Sequence, residues 1–115
     1  MLELPVEVDR FLRDEIESLE ELEILLLLRE EPARWFEAPE VTAALRLGAY
    51  SAPERLARLA RRGLLEVAGV PQRYRYAPDP LREPVIAAAA RCHAECRHLV
   101  IASIYAPSPR RSRPA

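Results

Sequence analysis

The sequence predicts a mainly α chain carrying a single β-hairpin, and three observations carry that prediction. Apolar residues recur at three- and four-residue spacing over most of the 115 residues. Strict two-residue alternation occurs in "RYRY" at 73–76, where Arg73 and Arg75 take one face and Tyr74 and Tyr76 the other. Glycine is scarce, with three in the chain, and two of them follow helical patterns.

Residues 6–16, "VEVDRFLRDEI", form the first expected helix, with Val8, Phe11, Leu12 and Ile16 on its apolar side. Ser18 opens a second through the capping box "SLEE", and acidic residues crowd its first turn, where the helix dipole favours them. Its run "ILLLL" at 24–28 is apolar on nearly every side, so this helix is expected to be central and to stop before Pro32. Trp35 and Phe36 in the connector "ARWFEAP" are expected to plug the space between helices. Pro39 suits the first turn of a third helix and Gly48 its left-handed end. A second capping box, Ser51 with Glu54, starts a fourth helix that runs to Arg62 and stops at Gly63. "LLEV" and "RYRYAP" then flank a turn containing Gly69 and Pro71. Residues 81–105 read as one long helix with Leu81, Val85, Ala88, Cys92, Cys96, Leu99 and Ser103 on one stripe. The Pro-rich, basic end "APSPRRSRPA" reads as a disordered tail.

The net charge of −1 hides an asymmetry. Residues 1–40 hold 4 Arg against 13 Asp+Glu, and residues 41–115 hold 13 Arg against 5. A polyanion responds to the local field rather than the total, so the basic part is the one to examine. No apolar run reaches the roughly 18 residues of a membrane span. The N-terminus lacks the basic and apolar regions of a signal peptide. The expected location is cytoplasmic, with Cys92 and Cys96 reduced.

The stretches "SLEELEILLLL", "VTAALRL", "SAPERLARLARRGLLEV" and "QRYRYAP" together resemble the MarR-like and related small bacterial transcriptional regulators. The resemblance implies a winged helix-turn-helix: a three-helix core plus a two-stranded β-wing, here with a long C-terminal helix. It divides the chain into an acidic helical extension (1–17), the winged-helix domain (18–78), a dimerisation helix (79–106) and the tail (107–115). It makes 52–62 the recognition helix and 64–77 the wing.

The residues themselves point the same way. With Leu56 at the origin of a helical wheel, at about 100° per residue, Leu59 and Ala60 fall within about 60° and form the buried stripe. Glu54, Arg58 and Arg61 fall opposite, and Arg55 and Arg62 on a flank. The expected DNA-contacting set is Ser51, Arg55, Arg58, Arg61, Arg62, Gln72, Arg73 and Arg75. Arginine suits it, because its guanidinium pairs with guanine or clamps phosphate. The competing reading is a solvated arginine face.

"CHAECRH" offers Cys92, His93 and Cys96 as zinc ligands. His98 points elsewhere on the wheel and nothing closes a four-ligand site, so packing is the expectation and neither metal nor cofactor is expected. Tyr74 and Tyr76 are expected to pack the hairpin on the helices. The carboxylates of 7–23 converge with no other catalytic group, and no enzyme is read here. The expected function is sequence-specific binding of double-stranded DNA by a homodimer joined through the C-terminal helix. The alternative is a winged-helix protein-interaction module that does not bind DNA, its partner meeting the acidic N-terminal region.

Overall fold

The computed structural model describes residues 3–107. The basic tail expected from the sequence lies, beyond Pro107, outside the described residues. Six helices and three short strands follow the order α1 (Val6–Glu15), α2 (Leu19–Glu30), β1 (Phe36–Glu37), α3 (Ala38–Leu45), α4 (Ser51–Arg61), β2 (Leu65–Ala68), β3 (Arg73–Tyr76), α5 (Glu83–Glu95) and α6 (Arg97–Ile104). None of these helices is long and apolar enough to cross a membrane. The chain divides into two compact units, Glu20–Asp79 and the two flanks Met1–Leu19 with Pro80–Ala115. The N-terminal extension and the C-terminal helix, read separately from the sequence, therefore belong to one unit.

In the flanking unit, α1, α5 and α6 each contact the other two. Val8, Phe11 and Leu12 of α1 are buried, as are Ile86 and Ala89 of α5 and Val100 and Ile104 of α6. The single long C-terminal helix is not formed. Cys96 leaves helical geometry at φ −140°, ψ 57°, and serves as both the last cap of α5 and the first of α6. The break lets both segments turn apolar sides towards α1, so the buried line differs from the expected stripe, and Leu81 is 90% exposed. Polar pins close the unit. Glu15 pairs with Arg82 at 2.7 Å, and the Leu19 amide donates to the Tyr105 hydroxyl at 3.0 Å. Ser103, nearly fully buried, donates to Asp9 Oδ1 at 2.6 Å, and Arg13 adds an i,i+4 ion pair with Asp9 at 3.0 Å. Burial alone would push the Asp9 carboxyl up, but the hydrogen bonds from Ser103 and Arg13 outweigh it and hold the group below its ordinary range.

In the central unit, α2 places Leu22, Ile24, Leu25 and Leu28 out of solvent, as its all-round apolar pattern requires. The sheet has three strands rather than two. β3 pairs antiparallel with β2 (Leu65↔Tyr76, Val67↔Tyr74) and with β1 (Phe36↔Tyr74, Glu37↔Arg73), giving the order β1-β3-β2. Phe36 is thus a buried strand residue, while Trp35 stays half-exposed. Tyr74 and Tyr76 are buried, and Arg73 is exposed. α3 starts with the Glu37 amide donating to the Glu40 carboxylate at 2.8 Å, with Pro39 in its first turn. It ends at Arg46, which takes the left-handed position (φ 56°) expected of Gly48, because the Leu47 amide already closes on the Thr42 carbonyl at 3.0 Å.

Ser103→Ala is expected to lower stability at neutral pH by about 1 kcal/mol, the usual net worth of such a bond. The Asp9 carboxyl is depressed in the folded state, so its contribution is complete above its unfolded pKa and is lost as pH falls through the folded one. Urea titrations of both proteins across the acid range should therefore show the wild-type advantage shrinking towards low pH.

Candidate nucleic-acid interface

α4 is positioned by Ala52, Leu56 and Leu59, all fully buried. Its end follows from backbone chemistry. Gly63 adopts φ 79°, its amide donates to the Ala60 carbonyl at 3.0 Å, and the Leu64 amide reaches the Leu59 carbonyl at 3.0 Å. This paired closure satisfies carbonyls that would otherwise be orphaned, and a residue with a Cβ is strained at its left-handed position. The chain then reverses directly into buried Leu64 and Leu65, which start β2. The helix stops at Gly63 because the hairpin must begin there.

The start of α4 departs from the expected capping box. Tyr50 is the cap and Ser51 is already helical, so its hydroxyl is free to serve another group. Ser51 Oγ donates to Glu20 Oε1 at 2.5 Å, and Arg55 Nε reaches the same oxygen at 3.2 Å. One helical turn on, Arg58 Nη1 pairs with Glu21 Oε1 at 2.5 Å. Glu21 is fully buried and the Arg58 side chain is only 18% exposed. Ser51, Arg55 and Arg58 occupy i, i+4 and i+7 and so share one flank, against which the first turn of α2 sets two adjacent carboxylates. The hydrogen bond from Ser51 is the main reason the Glu20 carboxyl sits below its ordinary range, with Arg55 adding to it.

The wheel's outward face is therefore corrected. Arg58 turns inward to Glu21, and its long side chain carries the charge round the helix to get there. Glu54 and Arg61 remain exposed, with half-buried Ala57 between them. Arg75 is also engaged: it pairs with its cross-strand neighbour Glu66 at 2.6 Å and lies 4.5 Å from the centre of the Trp35 ring. Five of the eight expected contact residues, Ser51, Arg55, Arg58, Gln72 and Arg75, thus already serve partners within this unit. Among the described residues, the guanidinium groups of Arg61, Arg62 and Arg73 make no hydrogen bond or ion pair. Gln72 accepts a hydrogen bond from the Tyr74 hydroxyl at 3.1 Å.

Arg61 and Gln72 stand at the rim of a shallow groove between α4 and the hairpin. Its volume is about 270 Å³, and Ala57, Ala60, Val67 and Tyr74 line the rest. The groove is open and small, a contact surface rather than an enclosed ligand cavity. Cys92 and Cys96 lie in the other unit as half-buried free thiols, and burial pushes the Cys92 thiol up, away from the reactive thiolate.

The residues that sequence reasoning missed are Glu20, Glu21, Glu66 and Trp35. The first two look like ordinary helix-dipole partners of α2, and the spacing of 51, 55 and 58 on one flank was the available hint that α4 needed an acidic neighbour. Comparison with known proteins finds no matching family model, no matching curated protein and no matching solved structure.

Arg58 and Arg61 are expected to separate in a stability measurement. Arg58→Ala strands the buried Glu21 carboxylate and should cost about 3 kcal/mol, the low end for removing one partner of a buried pair. Arg61→Ala, on the exposed edge, should stay within about 0.5 kcal/mol of wild type. Chemical denaturation followed by circular dichroism reads both.

Proposed function

We propose that the chain is a DNA-binding transcriptional regulator built on a winged helix-turn-helix, in which the outer edge of α4 and the β2–β3 hairpin meet duplex DNA. The observation that carries this reading is the placement of uncompensated arginines. Arg61 on α4 and Arg73 on β3 are exposed and unpaired among the described residues, and the groove between their elements is rimmed by Arg61 and Gln72. The element order α2-β1-α3-α4-β2-β3, with the sheet ordered β1-β3-β2, supports it. In this reading Arg61 addresses a guanine edge or a phosphate from the major groove, and Arg73 and Gln72 reach the adjacent backbone. Arg62 is a flanking phosphate ligand. Two copies would present two reading heads. The surface for pairing them lies away from Ile86, Val100 and Ile104, which are already buried. Such a regulator works in the cytoplasm.

A second reading has an observation of its own. The central unit, Glu20–Asp79, holds 9 Arg against 10 Asp+Glu, so the 7 Arg against 2 Glu of residues 45–76 are offset by α2 and its connector. Near-neutrality and the acid-paired flank of α4 favour a protein-interaction module with the same architecture.

Fluorescence anisotropy with a mixed-sequence duplex over a salt series tests the first reading. The expected result is affinity that falls steeply with salt. Arg61→Ala/Arg73→Ala should weaken it at least about tenfold and reduce the slope of log K against log salt by about 1.8, two phosphate contacts' worth. No binding by the wild type even at low salt would remove the DNA reading and leave the interaction module.

A further inference from the structure

We propose that Glu20 is an internal stand-in for a DNA phosphate: its carboxylate occupies the Ser51–Arg55 anion site at the start of α4 and yields it to the DNA backbone on docking. The proposal rests on the DNA-binding reading above and assigns that surface a second, latent phosphate site.

Two neighbouring acids behave differently here. Glu21 is fully buried against Arg58, so it cannot leave without stranding a charge. Glu20 is 44% exposed, and Arg55 is 23% exposed. An ion pair this open to water is worth little on its own and exchanges readily. Yet the donors around Glu20 form an anion site: the Ser51 hydroxyl at 2.5 Å and Arg55 Nε at 3.2 Å converge on one oxygen. Ser51 opens an 11-residue helix, where the dipole adds to the attraction, and Arg55 stands one turn on along the same flank. A phosphate oxygen accepts the same hydroxyl and the same guanidinium proton. A backbone phosphodiester carries the same single negative charge as the carboxylate it replaces, and its two free oxygens suit the guanidinium fork. The depressed carboxyl of Glu20, held down chiefly by the Ser51 hydrogen bond, agrees with a site that favours an anion. Filling the site internally also costs every weak, non-specific phosphate encounter one displacement, which favours fully docked complexes over loose ones.

The test compares wild type, Glu20→Gln, Glu20→Gln/Arg55→Ala and the charge-matched control Glu30→Gln, each with the same duplex across salt. Glu30 is exposed, at the far end of α2. The expected result is that Glu20→Gln binds about tenfold tighter, the scale of one charge-assisted contact, with a salt slope steeper by about 0.9. Adding Arg55→Ala should abolish that gain, and Glu30→Gln should not reproduce it. Wild-type affinity and slope for Glu20→Gln, with Arg61→Ala/Arg73→Ala still weakening binding, would overturn this inference and spare the DNA reading. A gain that survives Arg55→Ala, or that Glu30→Gln matches, would overturn it too, because simple loss of negative charge would then suffice. Absence of binding by every protein at low salt would overturn both. Circular dichroism of each variant confirms that the fold is kept.

Discussion

A carboxylate with no solvent exposure must be paired, and Glu21 is paired by Arg58 across the α2–α4 contact. That constraint governs the central unit. Together with the burial of Ala52, Leu56 and Leu59 it sets the rotation of α4 about its own axis, holding the flank that bears Ser51, Arg55 and Arg58 within reach of α2. The Glu54–Ala57–Arg61 edge then turns out. The left-handed Gly63 delivers the chain from that oriented helix into the buried start of β2. The hairpin, the third strand and the groove inherit their placement from this pair.

The same pairing decides how charge is displayed. A helix with four arginines in eleven residues and the next suggests a uniformly basic surface. What emerges is graded. Arg58 is internal, Arg55 is shared with a solvent-reachable acid, and Arg61 is open. On the hairpin Arg75 is held by Glu66 and Trp35, while Arg73 is open. A surface built this way carries few free charges at defined places, so it can discriminate by geometry rather than by bulk attraction.

Features governed by local chemistry were legible in the sequence. The apolar periodicity of α1, α2 and α4, the stop at Gly63 and the Arg/Tyr alternation of β3 all depend on residues a few positions apart. Features set by distant partners were not. β1 is two residues long and exists through its pairing with Tyr74 and Arg73. The Ser51–Glu54 capping box is a sound local motif, but Glu20, thirty-one residues away, takes the hydroxyl. The break at Cys96 carries no Gly or Pro, and it pays off only once α1 is present to receive both halves. The helical wheel misplaced Arg58 because it tracks where a Cα–Cβ bond points, and a guanidinium can reach well beyond that direction.

The dependence of the unit on one buried pair is open to a direct measurement: a double-mutant cycle on stability with Glu21→Gln, Arg58→Met and the combination. The account predicts a coupling of about 2 kcal/mol, with the double variant markedly less destabilised than the two single losses added together. Additivity within about 0.5 kcal/mol would contradict it, since the two side chains would then contribute independently and α4 would owe its orientation to its leucines alone.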